Sequence, residues 1–250
     1  MTRSMNKSIV IAIVTACLMS ASATAATVHV KITGTVEWNL FTTGPLAVVD
    51  DGDAVVTEFD VDSNVFVNSP SFPTRGYTMN PANFTMTLGA ASVGLSNSQT
   101  SYFVIRNNDP AVDGFFISTN IDLPLKVPMT VPNVRMDFLR TFNIGTVWPS
   151  LNILDALGSY GFENMSSFNW TFDVGASQPL GILYETITLT EVEQCPADVT
   201  GDGTVNIQDL LFVVAHWNEG AGSPADVNGD NTVNILDLLA VVGAWGACAG

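Results

Sequence analysis

Between Pro196 and Trp245 the chain writes one 22-residue segment twice, PADVTGDGTVNIQDLLFVVAHW from Pro196 and PADVNGDNTVNILDLLAVVGAW from Pro224, offset by 28 residues with 16 of 22 positions identical. A unit this short cannot bury its own apolar face, so the two copies are expected to pack on each other. Each copy places oxygen-bearing groups at positions 1, 3, 5, 7, 9 and 12 of a twelve-residue loop, the spacing that wraps a hard cation such as calcium. The first set is Asp198, Thr200, Asp202, the backbone carbonyl of Thr204, Asn206 and Asp209. The second is Asp226, Asn228, Asp230, the carbonyl of Thr232, Asn234 and Asp237. Position 6 must turn sharply with positive φ, which Gly203 does freely and which Asn231 tolerates better than most residues.

Charge makes metal and fold interdependent here. From Gln194 onward there are seven acidic residues and no Lys or Arg, so the loops repel one another until a cation offsets them. Two Ca²⁺ ions are expected, one per loop. Pro196 and Pro224 stand two residues ahead of the loops and disfavour an entering helix, leaving only the exit helices. On these, Leu210, Val213, Val214 and Trp217 recur at helical spacing, and Leu238, Val241, Val242 and Trp245 repeat them. One apolar stripe per helix, each packed on the other, is the expected core of this segment.

The other end of the chain reads as an export signal, with Arg3 and Lys7, an apolar run from Ile9 to Met19, and the small residues Ala23-Thr24-Ala25 at a cleavage site. Residues 1–25 are therefore expected to be removed and the remainder to be secreted or displayed at the cell surface. Val14-Thr15-Ala16-Cys17 also has the form of a lipoprotein box, which would make Cys17 a lipid-modified first residue. No later stretch has the length or hydrophobicity of a membrane span. Export brings oxidising surroundings, so Cys195 and Cys248, which bracket the repeats, are expected to form a disulfide worth roughly 4 kcal/mol of loop entropy; two idle thiols are the alternative. Eight basic residues against 24 acidic ones give a net charge of -16, which excludes nucleic acid and anionic membrane surfaces as natural partners.

Residues 26–193 are governed by period-two alternation. Val28, Val30, Ile32, Val36 and Trp38 fall on one face, opposite His29, Lys31, Thr33, Thr35 and Glu37. The same rhythm runs through Phe84, Met86 and Leu88, through Val134, Met136 and Phe138, and through Phe168, Trp170, Phe172 and Val174. Turn signals at Asp51-Gly52, Asn107 to Pro110 and Gln178 to Gly181 separate the strands. The fold class is therefore mainly β, an antiparallel β-sandwich of jelly-roll type, with one short helix expected in Leu151–Leu157. Residues 194–250 follow as a small all-α calcium-binding module. Asp50-Asp51-Gly52-Asp53 reads as a solvated hairpin turn, with a further calcium loop as the alternative. Trp148, beside Pro149, is expected at the surface, where with Trp38 and Trp170 it could line a sugar platform; Trp170 keeps its strand's rhythm and is expected in the core.

The tail resembles the dockerin module, the duplicated calcium-binding segment that plugs exported bacterial proteins into cohesin domains of scaffold proteins. The likeness covers Ala197 to Trp245 and includes the valines at loop position 8, Val205 and Val233. It implies partner contacts at loop positions 10 and 11, here Ile207, Gln208, Ile235 and Leu236. The basic residues usual on dockerin helices are replaced by Ala215-His216 and Gly243-Ala244, and the flanking cysteines are similar to variant tails of planctomycete-type bacteria. A cohesin-like or other surface scaffold protein is the implied partner; a calcium-stabilised cap without a partner is the alternative. The body is loosely similar to exported sandwiches that precede PEP-CTERM sorting signals, through Gly34-Thr35-Val36, the run from Val48 to Ser63, Arg75-Gly76-Tyr77, Phe84 to Gly89 and Val112-Asp113-Gly114-Phe115.

Histidine chemistry is poorly supplied, since only His29 and His216 occur and they lie at opposite ends of the chain. No catalytic residue is assigned, and the body is expected to be non-catalytic. The alternative is a carbohydrate-active enzyme or carbohydrate-binding component of a polysaccharide-degrading complex, with an acid and base pair drawn from Glu37, Glu58, Glu163 and Glu185.

Overall fold

The computed structural model describes residues 26–109, 111–162, 170–174, 177–192 and 195–248. The export signal, Cys17, Glu163 and Phe168 lie outside the described residues, as do the side chains of Trp170, Phe172 and Val174.

Among the described residues fourteen strands build the body: β1 (Thr27–Asn39), β2 (Ala54–Asp62), β3 (Phe66–Asn68), β4 (Thr74–Thr78), β5 (Thr85–Leu88), β6 (Ala91–Val93), β7 (Tyr102–Arg106), β8 (Gly114–Ser118), β9 (Val127–Pro128), β10 (Val134–Met136), β11 (Phe138–Thr141), β12 (Gly158–Gly161), β13 (Trp170–Val174) and β14 (Ser177–Val192). One sheet runs in the order β6-β5-β2-β1-β14-β13-β10-β9, with β12 also on β14, and a second runs β11-β8-β7-β4-β3. Every pairing is antiparallel. The alternation in β1 decides its orientation, with Val28, Val30, Ile32 and Val36 buried while Lys31 and Glu37 face solvent.

Both sheets contribute to one core. Phe59 of the larger sheet meets Phe103 of the smaller edge-on at 5.4 Å, and Tyr184 meets Phe138 across the same gap at 5.4 Å. The body is thus an antiparallel β-sandwich. The run Val134, Met136, Phe138 is buried throughout, but the chain changes sheets within it, from β10 to β11 across Asp137.

Two bulges tune the central pair. The register of β1 on β14 shifts between Thr33 and Gly34 and again between Val36 and Trp38, leaving Glu185 and Glu37 as the extra residues. The first shift lets Tyr184 and Ile187 both face inward although they lie three positions apart, an odd spacing. Trp38 is left half-buried, its ring over Gly181, where an added Cβ would lie 2.4 Å from the indole. At Gly34 the close neighbour is backbone: a Cβ there would sit 2.5 Å from the Leu183 carbonyl oxygen. Gly34→Ala is therefore expected to destabilise the fold by about 2 kcal/mol through forced backbone movement, read as a lowered midpoint in urea.

Several expectations need correction. Gln178 to Gly181 form no turn; they lie inside β14, where Pro179 faces the register irregularity of β13 and accepts a bond from Leu40 N at 2.6 Å. A bulge spares the sheet the missing proline N–H. The expected short helix is a 3-10 turn at Ile153–Ala156, capped by Asn152. Trp148 is not a surface residue. It is 3% exposed, stacked on Phe115 at 4.6 Å and edge-on to Phe142 at 5.2 Å. Its loop is drawn inward by the fully buried carboxylate of Asp113, which accepts from the N–H groups of Asn108 (2.9 Å), Val147 (2.7 Å) and Trp148 (3.3 Å).

The smaller sheet is covered on its outer side as well. Phe103, Ile105, Phe115 and Ile117 join the core, yet Val104 and Phe116, which point the other way, are also fully buried. The segment after β8 crosses this face, with Ile121 over Gly76, and the Arg106 guanidinium lies 5.5 Å from the Phe116 ring centre.

Candidate metal centre

The repeated tail has its own small core of Ala197, Val205, Val213, Ala225, Val233 and Val241, residues equivalent in pairs across the duplication. Its elements are β15 (Thr204–Val205), α1 (Ile207–Ala215), α2 (Ile235–Gly243) and β16 (Gly246–Ala247). Each helix gives this core one fully buried valine, Val213 and Val241, with Leu210 and Leu238 half-buried against it. The remainder of the expected stripe is exposed: Val214 is 47% and Trp217 40% accessible, Val242 52% and Trp245 53%. Each helix is nine residues long, so the pair offers one contact row, and the adjoining apolar row looks outward.

Why the helices start where they do follows from the loops. Asn206 and Asn234 are N-caps, accepting from Gln208 N at 2.7 Å and Leu236 N at 2.8 Å. Asp209 and Asp237 complete a capping box by accepting from the N–H groups of Asn206 and Asn234, both at 2.8 Å. Each also reaches back to position 3 of its loop, to Thr200 N at 3.0 Å and to Asn228 N at 3.1 Å. Position 12 thus ties the loop's beginning to its end in both copies.

The first loop turns around Asp198, whose carboxylate accepts from Gly201 N (2.8 Å), Asp202 N (3.1 Å) and Gly203 N (2.7 Å). Asp226 does the same for Asp230 N (3.1 Å) and Asn231 N (2.8 Å). Position 5 then accepts from position 7, Asp202 from Thr204 N at 2.9 Å and Asp230 from Thr232 N at 3.0 Å. The side-chain amides of Asn206 and Asn234 donate to the Thr204 and Thr232 carbonyls, at 2.9 and 2.8 Å. Gly203 has φ 84° and Asn231 φ 69°, so position 6 adopts the left-handed geometry expected of it.

Electrostatics set these loops apart from an ordinary capped turn. Asp209 and Asp237 are both fully buried, and the bonds that reach them come from neutral N–H and hydroxyl groups. Burial opposes ionisation of Asp209, but the N–H groups of Asn206 and Thr200 and the Thr200 hydroxyl outweigh it and hold the carboxyl below the usual carboxylate value. Two buried carboxyl groups therefore stand in a segment devoid of Lys and Arg. Among the described residues no three carboxylate, imidazole or thiolate side chains stand together at metal-holding distances; Asp198 and Asp226 give their oxygens to backbone N–H groups instead. The donor chemistry nonetheless suits calcium, being all oxygen with two buried carboxylates lacking a cationic neighbour.

Cys195 and Cys248 are joined by a disulfide, with Cα atoms 5.8 Å apart. The residues expected to meet a partner lie at the helix starts: Ile207 is 54% exposed, Ile235 55% and Leu236 52%, and Gln208 is also at the surface. One turn further on, Leu211 and Leu239, each 58% exposed, continue the apolar row. The repeat of leucine four residues after isoleucine signals this row in the sequence, though the buried stripe draws the eye first.

A family model described as the dockerin type I domain matches residues 196–244, the span of both loops and both helices. The C-terminal segment is dockerin-like. Dockerins as a family bind calcium and join cohesin-bearing assemblies. No curated protein and no solved structure matches the chain, and the body's similarity to PEP-CTERM-type sandwiches has no counterpart among the matches. Elsewhere, Asp50 to Asp53 form a turn in which Asp53 accepts from Asp50 N at 2.9 Å and Asp51 from Asn39 N at 2.9 Å. His29 lies on the outer sheet face against Asp60 at 2.8 Å. Among the described residues no helix is long and apolar enough to cross a membrane.

Proposed function

We propose that this is an exported protein whose C-terminal segment, residues 194–250, holds two Ca²⁺ ions and fastens a non-catalytic β-sandwich, residues 26–193, to an extracellular or cell-surface scaffold through a cohesin-like partner. The ligands are Asp198, Thr200, Asp202, Thr204, Asn206 and Asp209 in one loop, and Asp226, Asn228, Asp230, Thr232, Asn234 and Asp237 in the other. When bound, calcium supplies the positive charge that Asp209 and Asp237 lack. The chain's own part is to set the turns at Gly203 and Asn231 and to hold the two helices side by side.

The observation that carries the reading is the exposed apolar row of Ile207, Leu211, Ile235, Leu236 and Leu239 on a dockerin-like helix pair. Large aliphatic groups exposed on helices directly joined to the loops suit a docking surface. A non-catalytic body is supported by the placement of two candidate acids: Glu58 is held in a 2.8 Å pair with Lys31, while Glu185 is the bulged residue of β14, two strands away.

The test is a pull-down from the host's cell-surface fraction with the full chain as bait, run in calcium and in chelator. A partner retained only with calcium, and lost with Leu211→Asp plus Leu239→Asp, is the expected result. Calcium-dependent stability with no such partner would establish a cap instead of a plug.

A further inference from the structure

Each calcium loop is braced at positions 7 and 8 by the segment leaving the opposite helix. After α1, Asn218 N donates to Val233 O and Val233 N to Glu219 O, both at 2.9 Å, and Gly220 bridges Thr232. After α2, β16 pairs with β15, and Cys248 N donates to Gly203 O at 3.1 Å. The two braces differ in how they are anchored. The segment after α1 runs on directly into the loop that begins at Asp226, so chain continuity holds it in place. The segment after α2 is anchored by the bond from Cys248 to Cys195.

That bond touches the first loop at three points. Cys195 O accepts from Asp198 N at 2.9 Å, fixing position 1. Cys248 holds the carbonyl of Gly203 at the sharp turn, and its sulfur lies 3.7 Å from Asp198 Oδ2. The second loop has no such covalent brace among the described residues: Asp226 N donates to Ser223 O at 3.1 Å, where the first loop has Cys195 O.

We propose that the Cys195–Cys248 disulfide is an interlock on the Asp198 loop alone, so that its reduction weakens calcium there and leaves the Asp226 loop intact. The inference rests on the calcium reading given above. An external dithiol supplies the two electrons: the S–S bond breaks, each cysteine sulfur takes up a proton, and the reductant closes to its own disulfide. Released, residues 246–248 lose the covalent restraint that keeps them paired with Thr204 and Val205, and the loop must order itself while binding. In an oxidising exterior both sites are filled, and a reducing one empties the first before the second.

Calcium titration calorimetry on the full chain separates the two loops through single-site variants. Asp226→Ala reports the first loop and Asp198→Ala the second. On reduction the Asp226→Ala chain is expected to lose calcium affinity by about tenfold or more, a typical size for coupling between neighbouring sites. The Asp198→Ala chain should change by no more than about twofold, as for independent sites. Cys195→Ser with Cys248→Ser, added to each variant, should reproduce the reduced values without any reductant. Equal losses at both loops, or no loss at either, overturn the interlock while leaving calcium binding in place. An oxidised wild-type chain that takes up no calcium removes the calcium reading, and the interlock with it.

Discussion

Stripping calcium from the full chain with a chelator is expected to melt α1 and α2 while the β-sheet signal persists, and adding the ion back should restore them. Metal bound only by the ordered loops stabilises by mass action, about 4 kcal/mol per site at a free concentration a thousand times the dissociation constant. A two-helix unit whose fully buried apolar side chains are six small Ala and Val residues has little besides its disulfide to hold it. The buried Asp209 and Asp237 add to the effect, because calcium brings a full positive charge to carboxyl groups that are otherwise reached by N–H and hydroxyl donors. Asp198→Ala with Asp226→Ala should abolish calcium uptake. Far-ultraviolet circular dichroism and calorimetry read the two results; helices that persist unchanged in chelator, or a double variant that still binds two ions, would remove the assignment.

The second large effect lies in the body. Trp148→Ala should cost about 3–5 kcal/mol, the range for emptying a large aromatic site in a packed core. The indole fills a cluster with Phe115, Phe142 and Tyr160, and the backbone N–H of the same residue bonds the buried Asp113. Truncation leaves a void that three separate chain segments must close over. Had Trp148 been part of a sugar platform, its loss would spare stability and abolish glycan binding. A denaturant midpoint within error of wild type would therefore return it to the surface.

These two sites show how unevenly the sequence discloses the molecule. Local pattern carries far: the alternation in β1, the sharp turns at Gly203 and Asn231 and the cysteines flanking the repeats all appear in the structure as read. Each depends on neighbours within a few residues or on a simple repeat. Trp148 was illegible because its burial is imposed by Asp113, 35 residues earlier, through backbone bonds that no periodicity encodes. The same holds for Val104 and Phe116: they point away from the core between the sheets, and a segment arriving from after β8 covers them. Pro179 misled in the opposite sense, since a proline at a bulge reads like a turn until the register of β13 is known. In the candidate site, the exposed halves of the helix stripes were hidden by the assumption that an apolar row must be a buried one. For Val214 and Val242 that fails, because two short helices have only one partner each.

The disulfide that spans 53 residues also brings the entrance and the exit of the repeated segment to within 5.8 Å of each other. A unit whose two ends coincide makes almost no demand on the geometry of its host, since it can be hung from a surface hairpin as readily as from a terminus. The cystine thus makes the calcium-loop pair transplantable, a cassette that could be spliced into an unrelated exported protein without disturbing either fold.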